Sequence, residues 1–226
     1  MKNITNYLAL GAVALGFSGV AQAVPTLQLT SGLTVVTIVD NGLGDSDPSV
    51  GSVVYIGPVA GWSTNISTGL SKPILGSPSS PKMDLNSVNV SSNGAGALKI
   101  EFSDTGFTQL GTAWSSIGGT QAIGSINYST YWSATNVALA TDNLLSSQTF
   151  TRLAGDPIAF SGEVGGGTVT GGIPYSLTQV VTINHTGPGS SSFDAELTVP
   201  DSGSTIALLG AALATLGLIS RRRKVA

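Results

Sequence analysis

The chain has 226 residues, of which 9 are basic and 12 acidic, and it contains no cysteine. Without cysteine it can form no disulfide framework, no thiolate metal site and no cysteine nucleophile. Most basic residues lie at the two ends, so residues 24–199 keep four basic residues against eleven acidic ones, a net charge of −7. A surface of this charge repels nucleic acid, and no basic stripe is present to bind phosphates.

Residues 1–23 have the features of a secretory signal peptide. Lys2 supplies a positive start, the stretch from Leu8 to Phe17 is apolar, and Ala21 and Ala23 form a small-x-small signal peptidase site. The apolar stretch is too short to span a hydrocarbon core of about 30 Å. We therefore expect signal peptidase to cleave before Val24 and the mature chain to be exported.

From residue 24 to residue 199 the apolar positions follow a period of two, which is typical of half-buried strands. The runs with this pattern are 33–40, 50–56, 97–102, 126–132, 175–184 and 193–199. Gly and Pro signals separate them, among them Gly57-Pro58, Gly118-Gly119 and Gly165-Gly166-Gly167, which favour turns. Only residues 138–148 suggest a short helix, with a crossover as the alternative.

This pattern predicts an all-β fold for residues 24–199: a single antiparallel β-sandwich of about eight to twelve strands. Its topology is jelly-roll or Ig-like, two alternatives that the pattern does not separate. The Pro-rich segment 72–82 is expected to be a long surface connection. Two domains would each be small for a cysteine-free sandwich, which favours one.

Asp40, Asp45 and Asp47 cluster in a Gly-rich segment after the first predicted strand. Carboxylates on such a loop can bind calcium, but the spacing differs from that of an EF-hand and the closing glutamate is missing. The alternative is a turn in which the Asp side chains accept hydrogen bonds from nearby backbone amides, and we favour it.

Three aromatic residues, Trp62, Trp114 and Tyr131, are candidates for stacking on a sugar ring, since each combines an apolar face with a polar group. Packing in the core is the alternative, which we favour. A carbohydrate-binding module would place exposed aromatic residues together on one concave face near the Asp40–Asp47 segment.

The sequence contains no recognisable catalytic constellation. His185 is the only histidine, no Gly-x-Ser-x-Gly elbow accompanies it, and we expect it to be an exposed residue at a strand end. Asp194 and Glu196 share one face of a predicted strand, which we expect to point to solvent rather than into the groove that glycoside hydrolysis requires. We expect neither a cofactor nor an enzymatic activity.

The chain ends in three parts: a short polar motif, an apolar run from Ile206 to Ile219, and the basic cluster Arg221, Arg222, Arg223 and Lys224. The apolar run covers about 21 Å as a helix, and roughly 28 Å when residues 202–220 are included, so that it can just span a membrane. The basic cluster holds its own side in the cytoplasm, which leaves the β-rich part outside.

The motif Val199, Pro200, Asp201, Ser202 and Gly203, followed by this helix and basic cluster, resembles the PEP-CTERM class of bacterial sorting signals, in its Val-Pro-Asp-Ser-Gly variant. The resemblance implies export, transient anchoring in the inner membrane, and recognition by an exosortase, a membrane-embedded transpeptidase. It further implies a role at the cell surface or in an extracellular polysaccharide matrix. The resemblance covers residues 199–226 and gives no activity for residues 24–198.

Three readings of the function follow. The first is a surface or biofilm-matrix protein without enzymatic activity. The alternative is a carbohydrate-binding β-sandwich module, with calcium dependence if the Asp40–Asp47 segment binds the ion. A hydrolase acting on matrix polysaccharide is a third reading, and it requires two carboxylates that face each other across a groove.

Overall fold

The structure is a computed structural model that describes residues 24–200 and the single residue Leu213. The predicted signal peptide, the predicted membrane helix apart from that residue, and the basic cluster lie outside the described residues. Within the described part, no helix is long and apolar enough to cross a membrane.

Twelve strands form the described part of the chain. They are β1 (Thr26–Ser31), β2 (Thr34–Val39), β3 (Ser52–Val59), β4 (Trp62–Leu70), β5 (Lys82–Ser92), β6 (Gly96–Phe107), β7 (Gly111–Thr120), β8 (Gly124–Ser133), β9 (Asn143–Arg152), β10 (Ala159–Val169), β11 (Tyr175–His185) and β12 (Gly189–Thr198). Sheet A has the order β2-β1-β6-β11-β8-β9, and sheet B has the order β10-β7-β12-β5-β4-β3. The predicted all-β class is confirmed.

The last eight strands pair in a nested order. Strand β5 pairs with β12, β6 with β11, β7 with β10, and β8 with β9, all antiparallel. This order results from rolling up one long antiparallel hairpin, which is the jelly-roll arrangement. Of the two topologies left open by the sequence, the pairing therefore matches the jelly roll.

One hydrophobic cluster joins the inner faces of the two sheets. Sheet A contributes residues such as Leu27, Phe102 and Val181, and sheet B contributes residues such as Leu85 and Phe193, all nearly inaccessible to solvent. Cross-sheet hydrogen bonds accompany the packing. The Tyr128 hydroxyl donates to the Glu196 carbonyl at 3.0 Å, and Gln179 Nε2 donates to the Met83 carbonyl at 2.9 Å. The two sheets therefore share one core.

Several glycines predicted to form turns lie inside strands instead. Gly57-Pro58 belongs to β3, Gly118-Gly119 to β7, and the three glycines from Gly165 to β10, where the pairing with β7 has a bulge. The reason at Gly119 is close packing: a Cβ there would lie 2.0 Å from the Ser192 carbonyl oxygen of β12. Here glycine permits strands to approach rather than ending one.

The short helix suggested for residues 138–148 is also absent from the structure. Residues from Asn143 onward form β9 at the edge of sheet A, and the residues before them form a turn. Leu145 of β9 is buried in the core while Leu144 is exposed. Burial against sheet B thus selects the extended conformation over the helical one.

Candidate functional site

The outer face of sheet B carries an open depression of about 660 Å³, which we call the acidic groove. Its carboxylates are those of Asp84 on β5, Glu163 on β10, and Asp194 and Glu196 on β12. The strand register explains why these carboxylates lie together. Glu196 pairs with Asp84 on one neighbouring strand and with Ser116 on the other. Ser116 in turn pairs with Glu163 on the next strand. Side chains directly across neighbouring strands share a face.

The alternation of β12 accounts for its two outward carboxylates. Phe193, Ala195 and Leu197 are buried in the core, so the residues between them face away from it. The sequence predicts this outward direction. It does not predict the depression, because Asp84 and Glu163 come from strands that are far away in sequence.

The pKa of one carboxyl group in the acidic groove is raised. Burial raises the pKa of Asp84 above its usual value, and the nearby carboxylates of Glu196 and Asp194 raise it further. Lys82 Nζ lies 3.2 Å from Glu196 Oε1, and the Ser87 backbone amide donates to Asp194 Oδ1 at 2.5 Å. The groove is therefore rich in hydrogen-bond acceptors and suits a ligand that offers hydroxyl or cationic donors.

Trp114 lies beside the acidic groove, on the same outward face of β7 as Ser116 and about 7 Å further along the strand. Its side chain is 45% exposed, and its ring lies against Gly165 of β10, where a Cβ would be 3.5 Å from the indole. An exposed indole that contacts a neighbouring strand is a suitable surface for the apolar face of a sugar.

The other two aromatic candidates do not join Trp114. Trp62 is only 3% exposed and belongs to the core, so it cannot serve as an exposed stacking residue. Tyr131 is half-buried on β8, which belongs to sheet A rather than sheet B. The structure thus separates the three aromatic residues that the sequence suggested together, because their strands belong to different sheets or faces.

His185 is buried, and the expectation that it is exposed is wrong. Its ring packs on Trp62 with centroids 4.6 Å apart, its Nδ1 lies 2.8 Å from Ser92 Oγ, and its Nε2 lies 2.8 Å from Ser191 Oγ. Burial lowers its pKa below the usual value. Both ring nitrogens are occupied by hydroxyls of neighbouring strands, which gives His185 a structural part at one end of the sandwich.

The carboxylates of the Asp40–Asp47 segment bind backbone amides. Asp40 Oδ2 accepts from the Gly51 amide at 2.7 Å, and Asp45 Oδ1 accepts from the amides of Asp47 and Val54 at 3.1 and 2.9 Å. Among the described residues, no group of three or more acidic or histidine side chains has the arrangement of a metal site. The bond from the Asp47 amide is local, as in an Asx turn, whereas the bonds from Gly51 and Val54 join the segment to β3 and the residue before it.

This segment is also far from Trp114. It connects β2 to β3 at one lateral edge, whereas Trp114 lies on β7 near the other edge of sheet B. Four strand spacings separate β7 from β3, which corresponds to about 19 Å. A single site built from the exposed indole and the Asp40–Asp47 segment is therefore not formed.

The sorting motif begins inside the fold. Val199 follows directly after β12, is 1% exposed, and its backbone amide donates to the Pro81 carbonyl at 3.1 Å. Pro200 is exposed. The last strand therefore connects directly to the motif, while Asp201, Ser202 and Gly203 lie outside the described residues.

Comparison with known proteins identifies the tail. The VPDSG-CTERM motif model matches residues 198–223, so the chain carries this variant of the PEP-CTERM-like exosortase sorting signal. The signal implies export and anchoring in a membrane before sorting. No curated protein matches the chain.

Two solved structures are similar in part to the β-rich region. One is TmCBM61 in complex with β-1,4-galactotriose, with 11% identity and a TM-score of 0.35 over 64% of this chain and 92% of that one. The other is the K1 cleaved adhesin domain of Lys-gingipain from Porphyromonas gingivalis W83, with 16% identity and a TM-score of 0.33 over 67% and 99%.

Proposed function

We propose that this protein is exported, anchored briefly in the inner membrane, processed by an exosortase, and then retained at the cell surface or in an extracellular polysaccharide matrix as a non-enzymatic component. The observation that carries the proposal is the VPDSG-CTERM signal at residues 198–223. The proposal is also supported by the direct connection at Val199, because the sorting signal begins at a residue that is buried in the core of the sandwich.

The short connection supports an anchored form in which the sandwich lies close to the membrane before processing. Only residues 201–205 separate the exposed Pro200 from the apolar run that begins at Ile206. Five residues span at most about 18 Å when fully extended. The sandwich end that carries the C-terminus of β12 therefore faces the membrane until the tail is removed.

The test follows the protein in cells with and without the cognate exosortase. In cells with the enzyme we expect a mature form that starts at Val24 and lacks the basic cluster, found at the surface or in the matrix. In cells without it we expect a larger form in the membrane fraction. Recovery of an intact chain, from Met1 to Ala226, in the cytoplasm would overturn the proposal.

A matched pair of variants separates sorting from folding. Replacing Pro200, Asp201 and Ser202 by alanine should block processing and leave the larger form in the membrane. Replacing Ser77, Ser79 and Ser80 by alanine, in the loop between β4 and β5, should leave processing unchanged. Equal processing of both variants would show that the motif is not what the exosortase recognises.

The acidic groove with Trp114 favours a second function, the binding of a polysaccharide on the outer face of sheet B. Removing the indole should lower the affinity for a matrix polysaccharide by roughly ten- to a hundredfold, which corresponds to one stacking contact and the desolvation it brings. Affinity electrophoresis of Trp114→Ala measures this, with Tyr131→Ala on the other sheet as the control. Equal loss in both variants, or no loss, would contradict this function.

The same assay tests calcium dependence and the absence of catalysis. Chelation should leave binding unchanged, because the carboxylates of the Asp40–Asp47 segment already accept backbone hydrogen bonds. No new reducing ends should appear when the polysaccharide is incubated with the protein. Their appearance, and their loss in Asp84→Asn, would show that the groove is hydrolytic and that the non-enzymatic proposal is wrong.

A further inference from the structure

We propose that a second depression, at the end of the sandwich remote from the tail, binds an acidic sugar residue whose carboxylate pairs with Arg152. This proposal rests on the proposed function in an extracellular polysaccharide matrix. The depression, which we call the end pocket, has a volume of about 530 Å³, within the range of small-molecule sites. Residues 121–123, residues 186–188, Arg152 and Ile158 contribute to its lining.

Three loops meet at this end because their strands are neighbours. Gly124 at the start of β8 pairs with both Arg152 at the end of β9 and His185 at the end of β11. The loops β7–β8, β9–β10 and β11–β12 therefore leave the sandwich on the same side, and the end pocket lies among them. The grouping is not visible in the sequence, because the three loops are far apart along the chain.

Arg152 has no carboxylate partner. Residues 24–200 contain four basic side chains, and the other three form ion pairs: Lys72 with Asp104, Lys82 with Glu196, and Lys99 with Glu101. Arg152 donates only from Nε to the Asp156 carbonyl, at 3.3 Å. Within the described part of the chain its two Nη groups thus remain available for the bidentate hydrogen bonds that a guanidinium forms with a carboxylate.

The charge around Arg152 is unusual for this protein. The exported body has a net charge of −7, and the acidic groove has four carboxylates, yet no Asp or Glu lines the end pocket. The neighbouring Asp156 carboxylate accepts from the Leu153 amide at 2.8 Å and forms no ion pair with Arg152. On the described surface, the end pocket is therefore where a negatively charged ligand would find a cation without a carboxylate partner. A short acidic segment, such as the end of a saccharide chain, fits best, because a long polyanion would be repelled by the rest of the surface.

Gln121 supplies a second, independent observation. Its side chain is 5% exposed and lines the end pocket, and its Oε1 has no hydrogen-bond partner among the described residues. An unpartnered buried amide oxygen costs about 1–3 kcal/mol, so a donor that reaches it would be stabilising. Four other buried side-chain atoms of the described residues also lack a partner, but Gln121 is the one whose residue lines the end pocket. A sugar hydroxyl is a donor of the kind that this amide lacks, and the terminal amide torsion has broad freedom to meet it.

The remaining lining suits the body of a sugar ring. Ile123 and Ile158 are 40% and 56% exposed, and Pro188 lies in the same lining. Such side chains can pack against the CH faces of a pyranose, while Arg152 and Gln121 bind its polar groups. A carboxylate, hydroxyls and an apolar ring face occur together in a uronic acid, which identifies the class of ligand.

The end pocket also lies at the end of the sandwich opposite to the tail. Gly189, which lines it, begins β12, and Thr198 ends β12 next to the sorting motif. Ten residues of extended strand place the pocket about 30 Å from the tail. While the chain is still anchored, the pocket is therefore directed away from the membrane, toward the space that an extracellular polysaccharide occupies.

The test measures binding of digalacturonate and trigalacturonate to the full-length protein in detergent by isothermal titration calorimetry. Neutral galactose oligomers of the same lengths and a triaspartate peptide serve as comparison ligands. We expect the acidic sugars to bind at least tenfold more tightly than either. If the neutral sugars bind equally well, the carboxylate contributes nothing, and if triaspartate binds equally well, the pocket recognises charge alone; either result overturns the proposal.

Variants assign the binding to the end pocket. Arg152→Gln should weaken acidic-sugar binding roughly ten- to a hundredfold, as expected for the loss of a charge-assisted bidentate pair. Lys99→Gln removes an equal charge from β6 of sheet A and should change binding less than twofold. Equal losses in the two variants would overturn the assignment, because only a general effect of charge would then remain.

A third variant separates a binding role from a structural one. Gln121→Met removes the unpartnered amide while nearly preserving volume, so it should weaken acidic-sugar binding while the melting temperature stays equal or rises. A fall in both would indicate a structural residue and count against the proposal. Failure of the pocket is distinguishable from failure of the proposed function, because the sorting experiment in cells does not depend on Arg152 or Gln121.

Discussion

At the scale of single residues, the buried histidine makes a prediction about pH. Burial lowers the folded-state pKa of His185 below the unfolded value of about 6.5. On acidification the unfolded chain therefore takes up the proton first. Neutral His185 therefore makes its full contribution to the free energy of unfolding above about pH 6.5. This contribution is lost as the pH falls from there to the folded-state pKa.

We expect the free energy of unfolding of the wild type to fall between pH 7 and pH 5, by at most about 1.4 kcal/mol per pH unit. Urea unfolding at a series of pH values measures this slope. His185 is the only histidine, so His185→Gln should remove the slope in this window. An unchanged slope in the variant would show that another group titrates. Asp40 and Asp84, whose pKa values are raised, act with the opposite sign, because the folded state holds their protons more tightly than the unfolded chain does.

The buried ion pair between β6 and the segment after β4 gives a second prediction at this scale. Lys72 was expected on a surface connection, but it is 7% exposed, and its Nζ lies 2.7 Å from Asp104 Oδ2 and 3.9 Å from the centroid of the Phe107 ring. The Ser71 hydroxyl donates to the same carboxylate oxygen at 2.6 Å. The pair thus fastens the long connection to the core.

Removing one member should cost far more than removing both. Asp104→Asn leaves a buried ammonium without its counter-ion and should destabilise the fold by about 3–5 kcal/mol in chemical unfolding. The double variant Lys72→Met with Asp104→Leu should recover most of this loss, because no charge then remains buried. Equal losses in the single and double variants would mean that packing, rather than the charge, holds the segment.

At the scale of strands, close approach of β7 and β12 makes glycine obligatory at one position. Gly119→Ala places a Cβ 2.0 Å from the Ser192 carbonyl oxygen, which is backbone and cannot rotate away. We expect a loss of about 2 kcal/mol or more, as for other overpacked positions. Gly94→Ala is the control, because no atom lies within 4 Å of a Cβ there. Similar melting temperatures for both variants would contradict this account of β7.

The end of β12 defines how much of the tail belongs to the fold. Val199 is buried and its amide donates to Pro81, whereas Pro200 is exposed. A chain ending at Pro200 should therefore fold with all of its core. A chain ending at Thr198 should lose about 1.5–3 kcal/mol from the missing side chain and its hydrogen bond. Thermal unfolding of both chains measures this, and equal stabilities would show that Val199 does not belong to the core.

At the scale of the whole molecule, one core shared by two sheets predicts one unfolding transition. The nested pairing interleaves early and late strands, so no half of the chain retains a complete core by itself. Circular dichroism, which follows the sheets, and tryptophan fluorescence, to which the buried Trp62 contributes, should give the same midpoint in urea. Two separate midpoints would show that residues 24–199 do not unfold as one domain.

The sandwich also has two different ends. The acidic groove and Trp114 lie toward the C-terminal end of β12, near the tail, whereas the end pocket lies at the N-terminal end of the same strand. In the anchored form proposed above, the groove would lie nearer the membrane than the end pocket does. Exosortase processing would thus expose a second surface of the protein, besides releasing it.

Some features of this protein follow from the sequence alone because they depend on local chemistry. The signal at residues 198–223 is read from a contiguous motif, and strand β12 is read from an alternation that burial on one face imposes. Strands β7 and β10 are not predicted, since their Ser and Gly residues resemble turns until a neighbouring strand supplies the contact that requires them.

The candidate sites were decided only by the tertiary structure. Each of them joins residues from strands or loops that are distant in sequence, as Asp84, Glu163 and Glu196 are in the acidic groove and Gln121 and Arg152 are in the end pocket. These residue types show no motif in the sequence, and whether they contribute to a site depends on which strands lie beside them. Strand order, which follows from the nested pairing of the whole chain rather than from any local pattern, sets those neighbours.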